Sequence, residues 1–280
     1  MAVRTRFAPS PTGFLHLGHA LSAWHCHRAG HPMLLRIEDI DPERSRPEYV
    51  DAIFEDLAWL GLCWPEPVLR QSERFAAYEQ AIAKLEGEGL VYPCFMSRAG
   101  IQREYEKLGS VPMGPDGPIY PGTHRHLSPQ EAEERKAAGE PYNLRLNVAE
   151  AVKRTGPLRW HDRTAGEQTA EPEAFGDFVI ARKDVPTSYH LSVVVDDAYQ
   201  EIDLVTRGMY LFQSTHVHRL LQALLGLPVP EYDHHALLTD REGDKLGKSK
   251  ASKPIRAYRE AGVAAQELWR RLGLDPPASG

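Results

Sequence analysis

The sequence has little cysteine, no excess of positive charge and no long apolar run. Its three cysteines among 280 residues, Cys26, Cys63 and Cys94, are odd in number and widely separated. A disulfide framework is therefore not expected, and a reducing compartment fits. A net charge of −6 argues against a protein that coats nucleic acid through its overall charge, so any such contact needs a local basic patch.

The apolar segments are too short for a membrane protein. No run approaches the ~20 residues that a membrane span requires, and prolines interrupt the N-terminal stretch where a signal peptide needs a continuous apolar region. We therefore expect a cytoplasmic protein without membrane contact. The composition, 42% hydrophobic and 26% charged, is that of a globular chain. Its length predicts about two domains.

Residues 6–19 predict a strand, a turn rich in proline and glycine, and a helix headed by His16-Leu17-Gly18-His19. A helix N-terminus presents free N–H groups and a positive dipole end, which favour phosphate. His16 and His19 would add donors on the same face, and Gly18 leaves room for a flat base to approach the backbone. The alternative is an ordinary strand-to-helix turn with two surface histidines.

An apolar run at residues 33–37 predicts a buried parallel strand that leads into Glu38 and Asp39. Ligands of open α/β sheets lie at the carboxyl ends of strands, so an acid there could bind an ammonium group, and Glu38 is the better candidate. Asp41, which precedes Pro42, is expected to cap the next helix.

Alternating helix and strand signals predict an α/β fold with a doubly wound, Rossmann-like parallel sheet. Helices are expected at residues 20–28, 48–60, 74–88, 129–138 and 215–226. Strands are expected at residues 90–94, 142–148 and 178–182. The chain is expected to divide into the first half of the nucleotide-binding domain (1–94), an inserted α+β subdomain (95–184), the second half (185–250) and a short helical segment (251–280).

Residues 189–197 form an apolar, β-branched run that ends in Asp196 and Asp197, and this run predicts a central parallel strand. The two acids suit magnesium binding, helix capping or a loop anchor. Arg207, placed after the next strand and followed by Gly208, suits bidentate capture of a carboxylate. The alternative for Arg207 is an exposed surface pair.

A lysine-rich segment at residues 244–250 contains Lys245, Lys248 and Lys250. Such a loop could close on a polyphosphate and neutralise the charge that develops on it, or it could be a solvated basic turn. Four cations follow as a strip: Lys250, Lys253, Arg256 and Arg259. They could contact phosphates, or they could form a solvated helix face.

The two motifs together resemble the HIGH and KMSKS motifs of class I aminoacyl-tRNA synthetases, in the order of that class: His16-Leu17-Gly18-His19 and Lys245-Leu246-Gly247-Lys248-Ser249. The chain also resembles the glutamyl subgroup of this class in four segments, at residues 6–13, 36–39, 189–197 and 207–208. After Ser249 the sequence continues only to Gly280, which is too short for the anticodon-binding domain of full glutamyl-tRNA synthetases. In this respect it resembles the glutamyl-Q tRNA(Asp) synthetase family.

The resemblance implies that ATP, with Mg²⁺, activates L-glutamate, and that the product is esterified to queuosine in the anticodon loop of tRNA(Asp). Glutamate-binding roles are implied for Arg6, Ser10, Glu38, Tyr189 and Arg207. ATP-binding roles are implied for His16, Gly18, His19, Lys245 and Lys248, and catalytic roles for His16, His19 and Lys248. The substrate carboxylate attacks the α-phosphate directly, so no protein nucleophile is needed. A monomer is expected.

Many members of the family hold a zinc ion in the insertion, and the corresponding residues here are Cys94, Met96, Tyr120 and His124. A thioether is a poor zinc ligand and a phenol an uncommon one, so no structural zinc is expected.

Two other functions remain open from the sequence. One is a minimal glutamyl-tRNA synthetase that charges an acceptor end, against which the short C-terminal segment counts. The other is a non-catalytic tRNA-binding paralogue, against which the histidine and lysine motifs count.

Overall fold

The structure is a computed structural model that describes residues 3–238 and 253–277. Its strands are β1 (Thr5–Phe7), β2 (Met33–Ile37), β3 (Leu69–Arg70), β4 (Val91–Cys94), β5 (Met113–Gly114), β6 (Gly117–Pro118), β7 (Asn143–Leu146), β8 (Arg159–Asp162), β9 (Gly166–Thr169), β10 (Val179–Ala181), β11 (Leu204–Gly208) and β12 (Glu231–His235). Its α-helices are α1 (Leu17–Ala29), α2 (Pro47–Trp59), α3 (Phe75–Gly87), α4 (Arg98–Leu108), α5 (Pro129–Ala137), α6 (Val148–Thr155), α7 (Tyr189–Tyr199), α8 (Ser214–Leu225), α9 (Ile255–Glu260) and α10 (Ala265–Arg271). None of the helices in these two ranges is both long and apolar enough to span a bilayer.

A parallel sheet at the centre is assembled from two groups of strands. β1, β2 and β3 pair in parallel, and so do β11, β12 and β8. The groups meet where the carbonyl of Arg4 accepts the N–H groups of Asp203 and Leu204, so that β1 and β11 begin side by side. The resulting order is β3-β2-β1-β11-β12-β8. Strands from the first part of the chain lie on one side of the β1–β11 boundary and later strands on the other, so the chain order of the strands reverses there. This is the predicted doubly wound arrangement, and such sheets bind ligands at the reversal point.

Helix α1 is fastened over β1, at the reversal point of the sheet. The hydroxyl of Thr5 donates to the carbonyl of Cys26 at 2.9 Å, and the thiol of Cys26 donates to the carbonyl of Arg6 at 3.2 Å. The small side chains of Ala20 and Ala23 are fully buried on the same face of the helix. They let the helix approach closely, so that its N-terminus stands beside the ends of β1 and β11.

The inserted segment has its own antiparallel sheet, in the order β10-β7-β4, and a hairpin formed by β5 and β6. The predicted helix at residues 129–138 and the predicted strands at 142–148 and 178–182 are confirmed. β4 was predicted as a strand, but it pairs with β7 and not with the parallel sheet. The proposed domain boundaries remain predictions.

The strand predicted at residues 189–197 is wrong, because these residues form helix α7. The hydroxyl of Ser188 caps the helix by accepting the N–H of Leu191. Leu191, Val193 and Val194 are all buried, so the helix is apolar on several faces. A short apolar run of this kind has no periodicity that separates a buried helix from a buried strand.

The helices predicted at residues 20–28, 48–60, 74–88 and 215–226 are confirmed. The expected capping role of Asp41 is wrong. Its carboxylate accepts the N–H of Arg44 in a turn, whereas α2 begins later, at Pro47. Strands β8 and β9 were not predicted, and β8 extends the parallel sheet beside β12.

The C-terminal segment is helical, as predicted, and packs on the first half of the sheet domain. Trp269 of α10 is fully buried and donates its indole N–H to the carbonyl of Leu60 at 3.0 Å. Arg259 of α9 pairs with Glu55 and Asp56 of α2.

Candidate active site

A cavity of about 540 Å³ lies at the reversal point of the sheet, beside the carboxyl ends of β1 and β11 and the N-terminus of α1. Residues predicted for glutamate binding and for catalysis line it together: Arg6, Ser10, His16, His19, Glu38, Tyr189 and Arg207. Gly18 lies in the first turn of α1, and Lys245 and Lys248 fall outside the described residues. The structure thus assembles one site from segments far apart in the sequence.

Arg6, at the centre of β1, is held by a carboxylate on α7. Asp197 accepts two hydrogen bonds from Arg6, at 2.9 and 3.3 Å, and a third from Arg36 at 2.8 Å. All three side chains are buried. Burial opposes the charge of Asp197, but the two guanidinium groups outweigh it and hold its pKa below the usual range. Asp197 therefore positions arginines, and its contacts do not support magnesium binding, one of the three roles that the sequence left open.

Glu38 and Asp39 follow β2 but have different surroundings. Asp39 accepts the N–H and the hydroxyl of Ser72, both at 2.8 Å, so both of its oxygens serve the fold. Glu38 lines the cavity and contacts Arg36 at 3.3 Å. Burial raises the pKa of Glu38, although Arg36 and Arg6 oppose this effect. The carboxylate is thus partly desolvated and would gain from a bound ammonium group.

Arg207 lies near the end of β11 with a rigidly held guanidinium group. Its Nη2 donates to the hydroxyl of Thr215 at 2.7 Å and to the carbonyl of Leu211 at 3.1 Å. Its Nε donates to His234 at 3.0 Å, and its Nη1 to His218 at 3.2 Å. Arg207 is only 5% exposed, so the alternative of an exposed surface pair is wrong. Thr215, His218 and His234 were not predicted from the sequence.

Tyr189, the first residue of α7, lines the cavity between Glu38 and Arg207. Burial raises the pKa of Tyr189 to about 12, so its phenol stays protonated and can donate a hydrogen bond at neutral pH. Tyr210 lines the same cavity, and it was not predicted from the sequence.

His16 and His19 cap the N-terminus of α1. The Nδ1 atom of His16 accepts the N–H of Gly18, and the Nδ1 atom of His19 accepts the N–H of His16, both at 3.1 Å. Burial lowers the pKa of both histidines, that of His19 to about 3. Both rings are therefore neutral, with the proton on Nε2, where it can be donated to a ligand.

Gly18 leaves space for this cap. A Cβ atom at Gly18 would lie 3.0 Å from the His16 ring. The gap predicted from the sequence is thus filled, at least in part, by the imidazole that caps the helix.

The described residues on both sides of 239–252 lie near this cavity. The N–H of Ile255 donates to the carbonyl of Leu15 at 2.8 Å, and Pro254 bridges to His16. On the other side, a Cβ atom at Gly208 would lie 2.9 Å from Leu237.

The predicted cation strip is only partly available to a ligand. Lys250 falls outside the described residues. Arg256 pairs with Glu260 at 2.8 Å, and Arg259 is engaged with α2. The ammonium group of Lys253 lies 4.4 Å from the ring centre of Tyr258.

A larger cleft of about 1030 Å³ adjoins the first cavity and shares with it Ser10, Thr12, Glu38 and Tyr189. Its far wall belongs to the inserted segment. Exposed cations without an ion-pair partner among the described residues line it: Arg44, Arg98 and Lys183. Acids also line the cleft, but Asp41 and Asp184 pair with Arg182. The unpaired cations therefore favour an anionic ligand on the way to the predicted glutamate site.

Three of the four residues that correspond to the family's zinc ligands, Met96, Tyr120 and His124, are linked by hydrogen bonds. The phenol of Tyr120 donates to the Met96 sulfur at 3.6 Å and accepts the N–H of His124 at 2.9 Å. The Nδ1 atom of His124 accepts the N–H of Phe95 at 3.1 Å, and burial raises the pKa of Tyr120. A thioether, a protonated phenol and an engaged imidazole do not fit zinc. The expected absence of a structural zinc remains a prediction.

Comparison with known proteins places this architecture in context. Residues 2–277 match the family described as the catalytic domain of class I tRNA synthetases for glutamate and glutamine (E and Q). The glutamyl-Q tRNA(Asp) synthetase of Rhodobacter capsulatus is 44% identical, over 96% of this chain and 99% of that protein. The glutamate–tRNA ligase of Aquifex aeolicus is 40% identical, over 99% of this chain and 59% of that protein.

The fold is similar to a solved structure as well. The glutamate–tRNA synthetase of Elizabethkingia anophelis superposes with a TM-score of 0.73 at 26% identity, over 94% of this chain and 54% of the other.

Proposed function

The chain belongs to the class I tRNA synthetases of the glutamate and glutamine group, and from this we propose that it activates L-glutamate with ATP and transfers it to queuosine at the wobble position of tRNA(Asp). The observation that carries the proposal is the cavity at the sheet reversal. It brings a buried arginine, Arg207, and a partly desolvated acid, Glu38, into one site. A substrate with a carboxylate at one end and an ammonium group at the other matches these two charges.

Each polar group of glutamate has a counterpart in this arrangement. Arg207 takes the side-chain carboxylate, Glu38 the ammonium group, and the phenol of Tyr189 donates between them. Arg6 and Ser10 hold the reacting carboxylate beside the N-terminus of α1. Glutamine would present an amide to Arg207, and polar discrimination of this kind can reach ~10⁴-fold or more.

The chemistry then follows from position and charge. The substrate carboxylate attacks the α-phosphate of ATP in line, the bond to the β-phosphate oxygen breaks, and pyrophosphate leaves. The Nε2–H groups of His16 and His19 donate to the α-phosphate oxygens as charge develops there. Gly18, Lys245 and Lys248 complete the proposed ATP site, with Lys248 on the departing phosphates. Mg²⁺ bound to ATP would neutralise phosphate charge.

The second substrate enters through the larger cleft. A hydroxyl of queuosine attacks the acyl carbon of glutamyl-adenylate, and AMP leaves. The cations Arg44, Arg98 and Lys183 would then contact phosphates of the anticodon loop. We propose that the protein acts as a monomer in the cytoplasm, where tRNA and ATP are both found.

The test is transfer of labelled glutamate to purified tRNA(Asp) with and without queuosine. We expect label only on the queuosine-containing tRNA(Asp), and ATP–pyrophosphate exchange with glutamate in the absence of tRNA. Label on tRNA(Glu) would favour a minimal glutamyl-tRNA synthetase. The 40% identity to a glutamate–tRNA ligase supports this alternative. The absence of both exchange and transfer would overturn the proposal.

A further inference from the structure

Arg207 differs from Arg6, the other described arginine that lines the cavity, in what holds it. We propose that two neutral histidines, His218 and His234, position Arg207 without neutralising it, so that the site selects a substrate that brings its own carboxylate. This inference rests on the proposed function, because it explains how the glutamate site rejects glutamine.

The hydrogen bonds around Arg207 have only one possible direction. A guanidinium group has five N–H donors and no acceptor, so the ring nitrogens that face it must accept. His234 accepts through Nε2 at 3.0 Å and His218 through Nδ1 at 3.2 Å. Each histidine must therefore carry its proton on the other ring nitrogen.

Both outer ring nitrogens have an acceptor that fits this assignment. The Nδ1 atom of His234 lies 2.7 Å from Asp162, a buried carboxylate that also accepts the N–H groups of Thr164 and Ala165. The proton on Nδ1 of His234 is thereby fixed, and Nε2 stays an acceptor for Arg207.

His218 is oriented in the same way from the opposite side. Its Nε2 lies 3.1 Å from Nδ1 of His190, whose Nε2 lies 2.9 Å from Asp116 in the β5–β6 hairpin. Both protons in this series point away from Arg207, and the series ends on the carboxylate of Asp116. The series therefore locks the tautomer of His218 that Arg207 requires.

These contacts leave the charge of Arg207 uncompensated. Its direct partners are two imidazoles, a hydroxyl and a carbonyl, all neutral, and within residues 3–238 and 253–277 it forms no ion pair. Arg6 and Arg36, by contrast, share the carboxylate of Asp197. Buried charges are normally paired, so the position opposite Arg207 is suited to an anion.

The donor count supports this interpretation. Four of the five N–H groups of Arg207 are engaged by protein acceptors, and one on Nη1 is left for the ligand. A carboxylate would accept this N–H and neutralise the buried cation. An amide would accept the N–H and leave the charge in place, and this difference is the basis of the discrimination.

The experiment compares two nearly isosteric variants, His218→Asn and His218→Asp. Asn keeps a neutral acceptor near the position of Nδ1, whereas Asp places a carboxylate there that pairs with Arg207. ATP–pyrophosphate exchange with glutamate and with glutamine gives the ratio of kcat/KM for the two amino acids. We expect His218→Asn to stay within ~10-fold of the wild-type ratio, and His218→Asp to lower it by ~100-fold or more, mainly through the KM for glutamate.

His216 provides the matched control on the same helix. It is buried to a similar extent, but its Nδ1 accepts the N–H of Glu171 and does not contact Arg207. His216→Asn and His216→Asp should alter thermal stability and leave the ratio unchanged. A wild-type ratio in His218→Asp would overturn the inference, whereas wild-type protein that exchanges with neither amino acid would overturn the proposed function itself.

Discussion

At the scale of single residues, the cavity depends on how buried charges are paired. Asp197 serves two arginines at once, one of which, Arg6, faces the substrate cavity. Its neighbour Asp196 is equally buried, but it binds Gln71, Arg74 and Tyr78, which lie away from that cavity. Of these two adjacent carboxylates of α7, Asp197 therefore supports the site, and Asp196 supports the packing of α3 against α7.

We expect Asp197→Asn to lower the free energy of unfolding by about 3–5 kcal/mol, because two buried guanidinium groups lose their anion. The same change should raise the KM for glutamate, since Arg6 loses its orientation. Asp196→Asn is the control, with a comparable loss of stability and an unchanged KM. Unfolding in urea and pyrophosphate exchange measure the two quantities. An unchanged KM in Asp197→Asn would show that Arg6 does not need this partner.

Several side chains that face the cavity could be predicted from the sequence, but Tyr210 and the residues that hold Arg207 could not. Glu38 follows a strand and Arg207 lies near the end of one, where pattern and motif point to a site, and Arg6 belongs to a segment that resembles the family. The imidazoles of His218 and His234 reach Arg207 from 11 and 27 positions away along the chain. Such partners arise from the packing of α8 and β12 around β11, which no local pattern specifies.

At the scale of elements, the N-terminus of α1 combines a structural and a proposed chemical role in the same two side chains. His16 and His19 close the helix through Nδ1 and present Nε2 outward. A strong N-cap could be supplied by a smaller residue such as Asn. The use of imidazole therefore points to a second function, which a substitution can separate from capping.

We expect His16→Asn to keep the helix cap, because its side-chain oxygen replaces Nδ1, and to change stability by no more than about 1 kcal/mol. The kcat of pyrophosphate exchange should fall by ~10²–10³-fold through loss of the Nε2–H donor. Ser128→Ala, which removes the cap of α5 far from the cavity, should show the reverse pattern. Full exchange activity in His16→Asn would remove the proposed role in catalysis.

Predictions of whole elements succeeded where amphipathic periodicity or a turn residue marked the boundaries. Helix α8 ends at Gly226, which adopts a left-handed conformation with φ of 70°. The prediction for the residues of helix α7 was wrong because its valines are typical of strands and its surroundings are apolar. Its N-cap, Ser188, was the available signal, since it comes directly before the run.

At the scale of the whole molecule, the sheet order brings many imidazoles into low-polarity surroundings. Burial lowers the pKa of His19 to about 3, and that of His25 and His234 to about 4. The unfolded chain restores the ordinary value of about 6.5. Two acids act in the opposite direction: burial raises the pKa of Asp56 to about 6, and it also raises that of Glu38.

Stability should therefore fall as the pH is lowered from about 6.5 toward 4. In this window the unfolded chain binds protons that the folded histidines do not, so each such histidine removes about 1.4 kcal/mol per pH unit. Asp56 and Glu38 offset part of this loss, because they take up protons while folded. Urea unfolding at several pH values measures the slope, and His25→Gln should make it shallower, since His25 stacks on His235 outside the glutamate contacts. A free energy of unfolding that stays constant from pH 7 to 5 would contradict the assignment of these buried imidazoles as neutral groups with lowered pKa values.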